Sequence, residues 1–220
     1  TSSAELKVYS RNFNEILTWY SSGNHIIDVA VAPNGKSAAI AVAGAQGGEM
    51  KSTIYIIDFD KEEPVAQFDY LSTMFLRLDY TSKNVVVAAG DHLISIIGPD
   101  RQKIEDISYE NSTLKRSVTS TQANACMLYS RYDSGNLNDL LLIGEDGSLR
   151  YKTDIRQDVR WIDHDGAQSC ILCSDKLYWY DESGKSCGSA DIETDGSMMV
   201  TFGNQAYVLG MNEIRCYTLQ

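Results

Sequence analysis

A seven-residue pattern recurs six times in this 220-residue chain and limits the folds open to it more than any other feature does. Each copy reads apolar, any residue, apolar, apolar, then Ser, Asp or Gly, any residue, and finally Asn, Asp or Ser. The copies begin at Leu6, Ile54, Ile94, Leu140, Leu177 and Ala206, so successive starts lie 48, 40, 46, 37 and 29 residues apart. The apolar half is typical of a β-strand and the polar half of a tight turn. Repeats of about this length are typical of β-propeller blades.

Further strand-like runs surround the copies. Each full copy is preceded by two such runs with their own turn between them and is followed by a third. In the first repeat the preceding runs are 26–32 and 37–42, and in the last they are 189–193 and 198–202. Four antiparallel strands per repeat, without any convincing helical periodicity, predict an all-β propeller of four-stranded antiparallel blades. A β-sandwich is the alternative, but it lacks such internal repetition.

The first copy lies in only half a blade. Leu6–Asn12 and the run 15–21 supply two outer strands, and no matching inner strands follow at the other end of the chain. We therefore expect a single propeller domain, part of a larger ring, unless the ring closes in a way that the sequence does not reveal. It would comprise an outer half blade at 1–22 and five full blades at 23–70, 71–110, 111–155, 156–188 and 189–220.

The composition excludes several classes of partner. Thirty acidic and nineteen basic residues give a net charge of −11, which repels nucleic acid and removes the counterion release that drives non-specific binding to it. No apolar run approaches the roughly 20 residues that span a bilayer. The chain starts at Thr1 without an initiator Met, so we expect a processed or truncated form whose only membrane contact is an anchor further upstream.

One glycine-rich segment is the candidate ligand-contact loop. Its candidate residues are Gly44, Gln46, Gly47, Gly48 and Glu49. The segment resembles a phosphate-binding loop only superficially, because Met50 precedes Lys51 and a strand rather than a helix follows. We predict a long hairpin loop that is free to contact a ligand, and the alternative is a hairpin that is merely solvated.

Three further motifs do not predict a metal site, a cofactor or catalysis. The series Asp191, Glu193, Asp195 resembles the start of a calcium loop, but its twelfth position is Phe202 and the segment is better explained as a hairpin turn. Cys170 and Cys173 have redox spacing on a strand, where they are expected to be buried free thiols, as are most of the five cysteines. The histidines are isolated, so no zinc site is predicted.

Asp163-His164-Asp165 places an imidazole between two carboxylates. Neighbours in a strand and turn seldom face one another, and no nucleophile can be paired with His164, so a polar turn is predicted rather than a catalytic base. Carboxylate pairs for glycoside hydrolysis cannot be singled out among thirty acidic residues. The tryptophans and many tyrosines fall on strands and are expected to pack between blades.

A resemblance to a known family rests on three stretches. They are Trp19–Gly23 with Ile27–Lys36, Val42–Phe59 with Glu62–Ala66, and Ala206–Arg215. The chain resembles an uncharacterised, domain-of-unknown-function family of WD40/YVTN-like propellers from Gram-positive anaerobes. This resemblance implies one transmembrane helix near the N terminus and an extracytoplasmic propeller tethered to the membrane.

These observations together predict a non-enzymatic binding or scaffold domain. The expected partner is a protein or a cell-wall glycan. The alternative is a carbohydrate-binding or hydrolytic propeller whose site lies at the central channel, where loops of several blades converge. A purely structural extracellular segment is a third possibility.

Overall fold

The computed structural model describes residues 4–109, 111–120, 125–131 and 137–218. Within these ranges all regular secondary structure is β-strand, arranged in six antiparallel sheets. The chain divides into two compact units, residues 1–110 and residues 111–220.

The first unit contains three sheets. A two-stranded sheet is formed by β1 (Glu5–Tyr9) and β2 (Glu15–Tyr20). The next sheet has four strands, which are β3 (His25–Val31), β4 (Ser37–Gln46), β5 (Glu49–Asp58) and β6 (Glu63–Leu71). The third also has four, which are β7 (Phe75–Tyr80), β8 (Val86–Gly90), β9 (Leu93–Ile97) and β10 (Lys103–Ser108).

The second unit also contains three sheets. The first consists of β11 (Ser112–Thr119), β12 (Ala125–Arg131), β13 (Asn138–Ile143) and β14 (Leu149–Ile155). The second consists of β15 (Val159–His164), β16 (Ser169–Cys173), β17 (Lys176–Tyr180) and β18 (Ser186–Asp191). The last has three strands, β19 (Met198–Phe202), β20 (Gln205–Leu209) and β21 (Ile214–Thr218).

The strands of every sheet follow chain order, which confirms the predicted all-β class built from four-stranded antiparallel sheets. The last sheet differs from the prediction. Residues 189–193 were expected to open a fifth four-stranded blade, and the boundary was placed between 188 and 189. Instead Ser189 and Ala190 lie within β18, which pairs with β17 from Ser186 onwards. Continuous pairing with β17 satisfies these backbone groups in the preceding sheet, so the final sheet keeps three strands.

The recurring sequence pattern has a recurring structure. Its first five copies form the hairpins β1–β2, β5–β6, β9–β10, β13–β14 and β17–β18, and each of these hairpins has a β-bulge just after the turn. The polar positions cap the turns, as when Asp181 accepts hydrogen bonds from the backbone N–H of Ser183 and Lys185. The sixth copy lies on β20 and enters the regular β20–β21 hairpin. It is therefore not equivalent to the others.

Apolar faces of neighbouring sheets form the core of each unit. In the first unit Ile54, Phe75 and Leu78 belong to a cluster between the two four-stranded sheets. In the second, Leu172 and Trp179 pack with Val208 of the last sheet. A carboxylate also joins β3 and β7, the first strands of two neighbouring sheets. Asp28 of β3 accepts a 2.7 Å hydrogen bond from the Leu78 backbone N–H of β7.

Candidate functional site

The second unit contains a cavity of about 440 Å³. It lies at the C-terminal ends of β11, β15 and β19, which are the first strands of the three sheets in that unit. Thr119 ends β11, His164 ends β15 and Phe202 ends β19, and all three residues line the cavity. This volume lies within the roughly 300–1,000 Å³ of small-molecule pockets. The topology thus brings residues that are far apart in the sequence to one opening.

Asp163 is fixed at the cavity by the neighbouring first strand. Its Oδ2 accepts hydrogen bonds from the backbone N–H of Thr201 at 2.6 Å and from Thr201 Oγ1 at 2.9 Å. Both bonds use the same carboxylate oxygen. Oδ1 is therefore left to accept a donor from a ligand, since an ionised carboxylate has about four acceptor sites.

Asp165 is arranged in a similar way. Its Oδ1 accepts hydrogen bonds from the backbone N–H groups of Ala167 and Gln168, each at 2.9 Å. These bonds close the turn that the sequence predicted for this segment. They leave Oδ2 without a hydrogen bond among the described residues.

His164 is a buried residue of the cavity wall, with only 3% of its surface exposed. Its Nδ1 lies 3.1 Å from Ser169 Oγ, which lies 2.7 Å from the Tyr151 hydroxyl. Burial lowers the pKa of His164, while Asp165, a backbone hydrogen bond with Gln168 and Asp163 partly oppose that effect. The imidazole is therefore neutral near pH 7.

The second ring nitrogen of His164 has a different environment. Nε2 is buried and has no hydrogen-bond partner among the described residues. In the tautomer whose Nδ1–H donates to Ser169 Oγ, Nε2 presents an acceptor lone pair. A buried acceptor without a donor costs free energy, and a hydrogen bond from a ligand donor would recover it.

Exposed apolar side chains form the rim of the cavity and continue across the outer face of the last sheet. Val200 and Phe202 line the cavity and are 59% and 79% exposed. In the sheet, Met198 pairs with Leu209, which pairs with Ile214. We call the exposed apolar side chains of this region the β19–β21 surface. Its members are Met198, Val200, Phe202, Leu209, Met211 and Ile214.

The inner face of the same sheet is packed. Met199, Ala206 and Val208 alternate with the exposed residues and are buried against the β15–β18 sheet. The alternation follows from the two-residue period of a strand, which sends successive side chains to opposite faces. Both faces of the last sheet are thus rich in apolar side chains, but only one of them is covered by other described residues.

A second, smaller cavity lies in the first unit and has a polar wall. Its volume is about 170 Å³, and Lys36, Asp58, Asn84 and Arg101 contribute to its lining. Burial tends to raise the pKa of Asp58, but the 2.7 Å hydrogen bond from Arg101 Nη2 and the turn N–H groups lower it overall. Asp58 and Arg101 therefore neutralise each other's charge within this cavity.

The predicted ligand-contact loop is shorter than expected. Gly44 and Gln46 belong to β4 and pair with Lys51 and Glu49 of β5, so the connection is the two-residue turn Gly47-Gly48. Both glycines have positive φ, as a tight type I′ hairpin turn requires. Strand pairing extends to the tip because the register stays regular. Contact of Gly44, Gln46, Gly47, Gly48 and Glu49 with a ligand stays a prediction.

The cysteines divide into two groups. Cys170 and Cys173 are buried free thiols on β16, as predicted, and burial raises the pKa of Cys173 to about 12 and that of Cys170 well above its usual value. Cys187 and Cys216 are exposed, so two of the four described thiols depart from the expected burial. The side chain of Cys126 lies outside the described residues.

The acidic series that resembles a calcium loop is divided among three ion pairs. Asp191 pairs with Lys176 and Glu193 with Arg215, while Asp195 pairs with Arg160. Among the residues that the structure describes, no three His, Cys, Asp or Glu side chains are grouped as metal ligands would be. The carboxylates of this segment thus bind cationic side chains of the same unit.

Sequence reasoning identified the Asp163-His164-Asp165 turn but missed its cavity. In the sequence, Phe202 stands out only because it is not a calcium ligand at the twelfth position of the acidic series, and Thr201 has no distinguishing feature. The missing information was that β19 lies beside β15, which joins Thr201 to Asp163. Aligning the C-terminal ends of successive first strands would have grouped residues 119, 164 and 202.

No helix among the described residues is long and apolar enough to cross a lipid bilayer.

Comparison with curated proteins yields no match. The comparison with solved structures gives similar chains, including the following two. One, BBS1N in complex with ARL6DN, soaked with mercury, is 15% identical, with a TM-score of 0.55 over 97% of this chain and 69% of that chain. The other, a protein of unknown function from Bacteroides caccae, is 14% identical, with a TM-score of 0.44 over 83% of this chain and 73% of that chain.

At 15% identity the first likeness shows the fold alone. The family comparison is more extensive, because the sequence profile of DUF5711 matches residues 1–219. The chain therefore belongs to DUF5711, a family of unknown function.

Proposed function

We propose that this chain is a non-enzymatic, protein-binding domain whose partner packs on the β19–β21 surface. One observation carries the proposal. Of the sixteen large apolar side chains that are exposed among the described residues, six lie on this one three-stranded sheet and its turn. Such a concentration is typical of interaction sites, because exposed apolar area is stabilised by removal from water.

The edge of the sheet supports a protein partner. The outermost strands β2, β6, β10, β14 and β18 each contain a bulge, which twists an edge away from further pairing. β21 pairs regularly with β20 and has one charged residue, Arg215, bound to Glu193 and Glu213. A strand of the partner can therefore add to β21 while its side chains cover the apolar face.

Site-specific photo-crosslinking tests this function. A benzophenone amino acid replaces Val200 or Leu209 in cells of the source organism, and crosslinked products are identified by mass spectrometry. We expect one discrete protein partner from both positions, with at least about a tenfold loss when Met198→Lys and Ile214→Lys are added, as for the loss of an interface hot spot.

The control places the same photo-reactive residue at Tyr20, which is 62% exposed on another sheet. Recovery of the same partner from Tyr20 would indicate non-specific contact. Recovery of glycan alone, or of no product from positions 200 and 209, would contradict a protein-binding function.

We also propose, from the family resemblance, that the domain lies outside the cytoplasm in a membrane-tethered protein. The exposed thiols of Cys187 and Cys216 provide a test. A membrane-impermeant maleimide is expected to label them in intact cells, whereas the same chain retained in the cytoplasm should be labelled only after lysis. Labelling that requires lysis in both cases would contradict the extracytoplasmic location.

A further inference from the structure

We propose that the cavity at the ends of β11, β15 and β19 binds a guanidinium group. Which molecule carries this guanidinium rests on the proposed function: it is an arginine side chain of the protein that packs on the β19–β21 surface. Binding of a free guanidinium does not depend on that function.

The first argument is the hydrogen-bonding character of the wall. Asp163 Oδ1, Asp165 Oδ2 and His164 Nε2 accept no hydrogen bond from the described residues, since the bonds at these side chains use the other oxygen or nitrogen. Three acceptors without donors call for a ligand rich in N–H groups. A guanidinium supplies five N–H donors in one plane and accepts none.

The second argument is that one of these acceptors is deeply buried. His164 is 3% exposed, and its ring is fixed through Nδ1 by Ser169. A ligand N–H that reaches Nε2 supplies a donor to an acceptor that the described residues leave without one.

The third argument concerns charge and shape. Phe202 lines the cavity with most of its ring exposed, and cations are attracted to the face of an aromatic ring. Guanidinium is planar and weakly hydrated, so it can stack on the ring while it donates at its edge. The two carboxylates and the net charge of −11 favour a cation over a neutral sugar or an anion. Val200 provides an apolar wall for the aliphatic stem.

The test is an NMR titration of the 220-residue chain with ethylguanidinium, ethylammonium and ethylurea. Ethylurea has nearly the same shape as ethylguanidinium but no charge. We expect saturable shifts at residues 163–165 and 200–203, with a Kd of about 1–10 mM for ethylguanidinium, weaker binding of ethylammonium and none of ethylurea. Equal binding of ethylurea, or no saturable shift at these residues, would overturn the proposal.

Charge-removing variants provide the specificity control. Asp163→Asn and Asp165→Asn each keep an oxygen for the existing hydrogen bonds and are expected to weaken ethylguanidinium binding by about tenfold or more, as for the loss of one charge-assisted hydrogen bond. Phe202→Ala should weaken it as well without affecting the fold, because this side chain is exposed. Asp191→Asn removes the same charge outside the cavity, and an equal loss of affinity there would also overturn the proposal.

The outcomes separate this inference from the proposed function. If ethylguanidinium binds but positions 200 and 209 crosslink to no protein, the cavity stands and the protein-binding function fails. If a protein crosslinks but ethylguanidinium does not bind, the inference about the cavity fails alone.

Discussion

Burial divides the thiols of the second unit into two reactive classes. Cys170 and Cys173 are buried on β16 with a raised pKa, so they are both shielded from reagents and protonated. Cys187 and Cys216 are exposed. We expect iodoacetamide at pH 8 to modify Cys187 and Cys216 in the folded chain and Cys170 and Cys173 only after unfolding. Peptide mass spectrometry distinguishes the four sites.

The unfolded chain in urea is the control, because all of these thiols should then react at similar rates. Rapid modification of Cys173 in the folded chain would contradict its placement in the core.

Single turn residues give a second prediction at this scale. Gly184 has φ of +76°, and a Cβ there would lie 2.7 Å from the ring of Tyr151. Gly47 has φ of +64° with no atom near its Cβ position. Gly184→Ala should therefore lower the free energy of unfolding by about 2 kcal/mol or more. Gly47→Ala carries only the conformational cost, about 1 kcal/mol, and serves as the matched control in urea denaturation.

Sequence reasoning was most successful where one residue type has one dominant role. Burial of Cys170 and Cys173 followed from their place in an apolar strand, and the Asp165 turn followed from its Asp-Gly pair. The cavity beside them could not be predicted. It depends on Phe202 and Asp163 meeting across two strands, and only the packing of those strands brings them together.

At the scale of elements, carboxylates fix how neighbouring sheets meet, because each accepts a hydrogen bond from the first strand of the next sheet. Asp28 of β3 accepts the Leu78 backbone N–H of β7 at 2.7 Å. Asp28→Ala leaves this partly buried N–H without its partner, and we expect a loss of about 1–3 kcal/mol in the free energy of unfolding. Urea denaturation measures it.

Asp28→Asn is the matched variant, since the amide keeps an oxygen for the Leu78 N–H and loses only the charge. It should retain more than half of the stability lost in Asp28→Ala. Equal losses in the two variants would show that charge, and not the hydrogen bond to β7, accounts for the effect.

The repeated pattern predicted the hairpins between the last two strands of the sheets, because the residues that form each turn are adjacent in the sequence. It failed at the sixth copy, which enters a regular hairpin in the three-stranded sheet. Whether residues 189–191 continue β18 or begin a new strand is decided by pairing with β17, a contact between segments that no local pattern encodes.

At the scale of the whole molecule, two buried titratable groups of the second unit predict how stability depends on pH. Burial of Asp139 tends to raise its pKa, but hydrogen bonds from Arg131 and the nearby charge of Lys152 lower the pKa overall. Its stabilisation is complete above the unfolded pKa near 3.8 and is lost as pH falls through the folded value. Burial lowers the pKa of His164 below 6.5, so its unfolded form takes up a proton first.

We therefore expect acid to destabilise the chain in two windows, one beginning near pH 6.5 and one below pH 4, with slopes of at most about 1.4 kcal/mol per pH unit for each proton. Urea denaturation from pH 3 to 8, followed by tryptophan fluorescence, measures the profile.

His164→Asn, whose amide mimics the Nδ1–H group, should flatten the upper window and keep the lower one. Asp139→Asn should do the reverse, although it also lowers stability at neutral pH because Arg131 loses its charged partner. An upper window that persists in His164→Asn would show that the imidazole is protonated as easily in the folded chain as in the unfolded one, and that its ring is not held neutral at the cavity.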